Sequence, residues 1–151
     1  MKCGTNETLI YRDMTIDFAT DRVELPALDR TKIADWLERI ATMMGKRIGT
    51  VAYIFCDDER ILEVNKEFLC HDYYTDVITF DYSRYNRVSG DIYISLDTVA
   101  SNAAQLGKSG DEELLRVIAH GLLHLCGIND KGPGEREIMV SYENKALAML
   151  K

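Results

Sequence analysis

The stretch HGLLHLCGIND constrains this chain more than any other, because it makes chemical sense only on a helix that stops at a defined place. Side chains at i and i+4 share one helix face, so the imidazoles of His120 and His124 can converge on a single metal ion. Gly127 would close the helix in a left-handed turn and bring the chain back toward that face. Asp130 then offers a third ligand. Three protein ligands and one open position make the geometry of a catalytic zinc site.

Length and composition frame that helix. A chain of 151 residues, 46% of them hydrophobic, fits one domain over residues 1–151 with a single core. No apolar run is long enough to span a bilayer and no stretch reads as a secretory leader, so the expectation is a cytoplasmic protein with no membrane partner. Cys3, Cys56, Cys70 and Cys126 form no CxxC pair and read as reduced thiols. Cys126 lies two residues beyond His124 and points to another side of the helix, as a packed thiol rather than a fourth ligand. His71, the remaining His, is most simply a surface residue. The net charge of −7 argues against broad nonspecific binding of nucleic acid, so any contact with RNA must use a local basic patch.

Periodicity predicts an α/β (α+β) domain. Met14 to Phe18 alternates as a first strand, and Asp29 caps a helix whose Ile33, Trp36, Leu37, Ile40 and Met44 form an apolar stripe ended by Gly45. Ile48 to Phe55 reads as a buried strand, followed by a helix capped by Asp57 and running to about Phe68. Asp76 to Tyr82 and Asp91 to Ser95 form two more strands joined by the loop SRYNRVSG. Ser95 caps a helix to Leu106 that stops at Gly107, and Ser109 with Glu112 makes a capping-box pattern for the helix of the two His. A last helix runs from the Lys131 to Gly134 turn almost to Lys151. The sum is a four-stranded mixed sheet packed by about five helices.

The His spacing resembles the metzincin pattern, in which two His four apart precede a Gly turn and a third ligand. The residue after the first His, however, is Gly121, where a zinc protease carries its general-base Glu. That weakens a peptidase reading. HGLLHLCG resembles instead the signature of the YbeY family, metal-dependent endoribonucleases of ribosomal RNA maturation. The resemblance continues through Asp57, Asp58, Glu59, Ile61, Val64 and Asn65, then TDVITF at Thr75 to Phe80, then Gly90, Asp91 and Ile92. It ends in the helix of Glu135, Glu137 and Glu143, and covers roughly the last two thirds of the chain. At two places the chain departs from the family's usual residues: the third metal position is Asp130, preceded by Asn129, where His is usual, and Leu69 stands where an Arg is usual. The resemblance implies a mixed sheet with a zincin-like metal helix beside it.

The chemistry expected of such a site is hydrolytic. Zinc, one per chain, suits His120, His124 and Asp130, and nickel or iron could load the same donors. Such a metal makes a water acidic enough to attack a phosphodiester or to deprotonate a ribose 2′-hydroxyl. Asp76 and Asp91 are candidates to orient a ligand His or to handle a proton, since metal-bound imidazoles donate their second N–H to an acceptor; each could equally cap a turn at a strand end. Asn65, on the inner face of its helix, suits a hydrogen-bonded clamp on a neighbouring loop and is also a substrate-binding candidate. Thr75 and Thr79 are expected to line the cleft. Arg84 and Arg87, beside Tyr82 and Tyr85, offer phosphate contacts and stacking surfaces. The expected function is a single-strand-specific endoribonuclease of ribosomal RNA maturation and ribosome quality control. Its partners would be ribosomal RNA and the small ribosomal subunit or its assembly factors, not DNA. The alternative is a ribosome-associated assembly factor with a mainly structural metal.

Overall fold

A computed structural model describes residues 6–11, 14–69 and 75–150, the first of these segments as backbone only; Cys3, Cys70 and His71 lie outside the described residues. The run Arg47–Cys56, nearly unbroken in apolar residues, has Val51, Tyr53 and Phe55 fully buried. Such a strand belongs inside a sheet covered by other elements, and that is where it lies. It pairs in parallel with Met14–Asp21 on one side and with Arg87–Ser95 on the other.

Numbered in chain order, the strands are β1 (Asn6–Tyr11), β2 (Met14–Asp21), β3 (Arg47–Cys56), β4 (Val77–Asp81) and β5 (Arg87–Ser95). The helices are α1 (Arg30–Met43), α2 (Asp58–Leu69), α3 (Leu96–Leu106), α4 (Gly110–Leu125) and α5 (Glu135–Ala148). The four expected strands and five helices are present, and a fifth strand joins the sheet, whose order is β1-β2-β3-β5-β4. β1 pairs antiparallel with β2, and β4 antiparallel with β5, so the sheet is mixed. The sequence reading missed β1 because NETLIY lacks a clean alternation and Arg12-Asp13 is not a recognisable hairpin turn.

The helix boundaries follow from their caps. Asp29, Ser95 and Ser109 accept hydrogen bonds from the N–H groups of Lys32, Thr98 and Glu112. Asp57 accepts from the Arg60 N–H at the start of α2. The Ser95 hydroxyl also donates to Asp58, while the Asp58 N–H donates to Asp97, which ties the starts of α2 and α3 together.

One face of the sheet carries the main core. There Ile16, Phe18, Val51, Tyr53, Ile92 and Ile94 meet Trp36, Leu37 and Ile40 of α1 and the apolar residues of α4. Trp36 Nε1 donates to the Ala146 carbonyl at 2.8 Å, which locks α1 to α5, and the Tyr53 hydroxyl donates to the Ile118 carbonyl at 2.8 Å, which locks α4 to β3. A smaller cluster of Cys56, Ile61, Val64 and Ile78 seats α2 on the opposite face. Both described thiols are packed: burial pushes Cys56 up to about 12 and Cys126 up to about 11, so neither is a reactive or ligating thiolate.

α4 is buried along most of its length and rests directly on β5. A Cβ on Gly121 would come within 2.7 Å of Ile92 Cγ2. One on Gly90 would run into the Phe80 carbonyl and within 2.8 Å of Leu125 Cδ2. Gly90→Ala is therefore expected to force β4 or the end of α4 to move, costing about 1–3 kcal/mol. A thermal melt should record this as a fall of roughly 2–4 °C per kcal/mol; an unchanged Tm would show that the contact is not tight.

Candidate metal centre

The two imidazoles project from successive turns of α4, with ring centroids 4.5 Å apart. Each has its Nδ1 committed. His124 Nδ1 lies 2.9 Å from the Ile128 carbonyl, which can only accept, so this nitrogen carries the proton. His120 Nδ1 lies 2.6 Å from Glu143 Oε2. Burial would raise the Glu143 carboxyl, but hydrogen bonds from His120 and Arg116 outweigh it and hold the group below its ordinary value, ionised and accepting. With Nδ1 committed, both rings turn their Nε2 atoms toward the same point.

Asp130 stands at that point. Its Oδ2 lies 3.4 Å from His120 Nε2 and 3.5 Å from His124 Nε2. Gly127, at φ +99°, provides the left-handed turn that brings the chain back, and Ile128 on the way is the residue that fixes His124. Among the described residues this is the one His/Cys/Asp/Glu group whose donor atoms lie close enough to share an ion, all within 4.8 Å of one another. Two imidazoles whose Nδ1 atoms are held by acceptors, and one carboxylate oxygen, are a donor set suited to a divalent metal. Burial, followed by the neighbouring His120, pushes His124 below its ordinary value, which keeps its Nε2 free to ligate at neutral pH.

The centre opens into a cleft of about 430 Å³. Its walls bring together several of the expected residues: Asn65, Thr75, Asp76 and Thr79, with Leu69 at the rim. Asn65 is buried to 1% exposure and has interactions of its own, as a clamp requires, while also facing the cleft. The Asp76 carboxyl is raised by burial, against the opposing pull of His120, and accepts from its own and the Val77 backbone N–H. It therefore caps the strand start and faces the site at once. Asn102 Nδ2 approaches its Oδ2 at 3.5 Å.

Three expected residues lie elsewhere. Asp91 pairs across from Phe80 and holds the Tyr82 hydroxyl at 3.3 Å. Strand side chains alternate, and its neighbours Gly90 and Ile92 are the ones that meet α4, so Asp91 faces away from the His pair. Arg84 and Arg87 do not line the cleft. Val77 is at the cleft end of β4, and four steps of about 3.4 Å carry the chain on the order of 14 Å away before the turn begins. The turn is also shorter than expected. Arg84 and Arg87 form a backbone bridge across Tyr85 at φ +54°, and Arg87 already belongs to β5, its stem packed over Gly49.

Glu143 is the functional residue that sequence reasoning missed as the partner of His120. Its other oxygen accepts from Arg116 Nη1 at 2.7 Å, and Arg116 Nη2 donates to Asn144 Oδ1 at 2.8 Å. Arg116 and His120 are four apart on α4, a spacing that was available as a clue. An acid on the next helix could not be paired with them from spacing.

A family model described as Endoribonuclease YbeY matches residues 15–151. The chain belongs to this family. Among its relatives, the Endoribonuclease YbeY of Bacteroides thetaiotaomicron is 58% identical over 136 residues, covering 90% of this chain and 99% of that protein. That of Parabacteroides distasonis is 55% identical, covering 91% and 96%. The solution structure of TM1509 from Thermotoga maritima is similar with a TM-score of 0.59 at 25% identity, covering 88% of this chain and 91% of that one. None of the described helices is long and apolar enough to cross a membrane.

Glu143→Gln should leave the fold intact and weaken metal binding about 10–100-fold, as loss of a carboxylate behind a ligand His does. The pH dependence of the metal-free protein has a defined sign. A carboxyl held below its ordinary 4.5 stabilises the fold above that pH and loses the effect as pH falls through its folded value. Wild type should exceed Glu143→Gln in unfolding free energy at neutral pH, and the gap should close on acidification. A gap that widens toward low pH would contradict the assignment.

Proposed function

We propose that this chain is a single-strand-specific, metal-dependent endoribonuclease of ribosomal RNA maturation and ribosome quality control, holding one zinc ion with His120, His124 and Asp130. As a member of the family it is a hydrolase acting on RNA phosphodiester bonds. The observation that carries the metal reading is the convergence of two Nε2 atoms on Asp130 Oδ2 in the lining of a cleft. Zinc suits two imidazoles and a carboxylate in a three-ligand site, with nickel or iron as competitors for the same donors.

When bound, a divalent ion here supplies Lewis-acid polarisation of a phosphoryl oxygen and acidification of water. The chain's own residues do the rest. Glu143 and Ile128 fix the ligand rings, so the ligand geometry is set before substrate arrives. Asp76, raised by burial and facing the same space, is suited to hold or deliver a proton at the leaving oxygen. Asn65, Thr75 and Thr79 offer hydrogen bonds along the cleft wall. A peptidase reading loses support because Gly121 packs against Ile92 and has no room for a general-base Glu. The proposed partners are ribosomal RNA and the small subunit or its assembly factors, in the cytoplasm.

The test compares a fluorescent single-stranded RNA, a duplex of the same sequence and a peptide pool, each with and without chelator. Single-stranded cleavage that chelator abolishes and zinc restores is expected. Metal-loaded protein that binds RNA without cutting it would favour the assembly-factor reading instead. His120→Ala or His124→Ala should each strip the metal, measured as metal per chain, while Asp130→His should retain it. Undiminished metal in both Ala variants would sink the ligand assignment.

A further inference from the structure

We propose that Lys131 is a substrate-positioning residue, whose ammonium holds a phosphate of the RNA strand beside the metal centre. It follows the third ligand directly in the chain and lines the same cleft, where it is the only Lys or Arg among the described lining residues. The segment that carries it is fixed at both ends. Upstream, the Ile128 carbonyl accepts from His124 Nδ1, and downstream the Gly132 N–H donates to Glu135 Oε1 at 2.7 Å. Ligand and cation are therefore presented together by one clamped loop.

The other cations near the site are already engaged. Arg116 is held by Glu143 and Asn144, and Arg60 on α2 by Asp21 and Glu63. Lys131 makes no ion pair or hydrogen bond from its ammonium to any described residue, although it lines the same cleft as His120, His124 and Asp130. A cation left unpaired in the cleft of a protein of net charge −7 is placed for a mobile anion. The charge count points the same way. Asp76, Asp130 and Glu135 line the same cleft as Lys131, so among the described lining residues the lysine is the one fixed countercharge to three carboxyl groups. Without it, the described lining offers an incoming phosphate no positively charged side chain of Lys or Arg. An ammonium acts as a point charge and needs no fixed hydrogen-bond fork, so it can hold a phosphate of any sequence.

The inference rests on the endoribonuclease reading, and the experiment separates the two. Cleavage of a fluorescent single-stranded RNA by zinc-loaded wild type, Lys131→Ala, Lys131→Glu and Lys131→Arg is measured over a series of KCl concentrations, with metal content taken on the same samples. Lys131→Ala should raise KM about fivefold, the upper end for one exposed ion pair. The slope of log kcat/KM against log salt should become shallower by about 0.7, the value for one phosphate of a single strand. Lys131→Glu should be worse, Lys131→Arg should recover most of the loss, and metal per chain should stay unchanged in all three. A merely structural lysine would alter stability without changing the salt slope. Variants that match an active wild type in KM and slope overturn the inference; a zinc-loaded wild type that binds RNA and does not cut it overturns the endoribonuclease reading.

Discussion

The close seat of α4 on β5 is the constraint on which the rest depends. At Gly121 on the helix and Gly90 on the strand there is no side chain to hold the two apart, and Ile92 and Leu125 fill the space instead. That approach buries Leu114, Val117, Ile118, Leu122 and Leu125 together and leaves only a narrow polar stripe of α4 open toward β4 and α5. The His pair lies on this stripe. A helix standing further from the sheet would rotate freely enough to blur the direction of both imidazoles, and a metal site is sensitive to errors well below 1 Å in its ligands. The packing also explains why the position after His120 is a glycine and not an acid. The same contact that aims the ligands removes the room for a protease-type base.

Around that stripe the polar groups are satisfied in pairs of opposite character. Arg116 supports Glu143, Glu143 supports His120, and the backbone of Ile128 supports His124. Each link fixes the protonation state of the next: a guanidinium that is always charged keeps the carboxylate ionised, and the ionised carboxylate requires the proton on Nδ1. Burying Arg116 and Glu143 is costly, and the cost is offset only because every charged end has a partner in reach. Asp76 shares the neighbourhood without such a cation, and burial accordingly shifts it the other way. Two carboxylates within one site thus differ in protonation tendency, one suited to orienting a ligand and the other to exchanging a proton.

Much of this was legible in the sequence, and the limits are physical. Caps are local, so Asp29, Ser95 and Ser109 marked helix starts that the structure places at the next residue. The grouping of His120, His124 and Asp130 was legible because helix period and a glycine turn bring them together within eleven residues. Strand order was not, since periodicity carries no information on β5 lying between β3 and β4. The parity of Asp91 was present in the sequence: Gly90 and Ile92 flank it, and a period of two puts it on the other face once Ile92 is assigned to the core. Arg84 and Arg87 were misplaced because the direction of the β4–β5 hairpin decides which of its ends meets the cleft. Glu143 lay beyond local reasoning altogether, as its contact with His120 spans 23 residues and two helices.

The departures at Asp130 and Leu69 become intelligible when the cleft is treated as one electrostatic unit. A carboxylate in place of a third imidazole adds a negative charge to the metal shell and so weakens the attraction for a phosphate. Leu69 at the rim adds no compensating charge. The residue next to Asp130 does, and it can do so without disturbing the metal because the Asp130–Lys131 segment is clamped on either side. In the proposed reading, an acidic third ligand therefore places its own requirement on the loop: a neighbouring cation that offsets the added charge without joining the ligand set. Lysine meets that requirement better than arginine would at the same position. Its single charge sits on a flexible stem, and it lacks the planar fork that would favour capture by Asp130 or Glu135 in a bidentate pair.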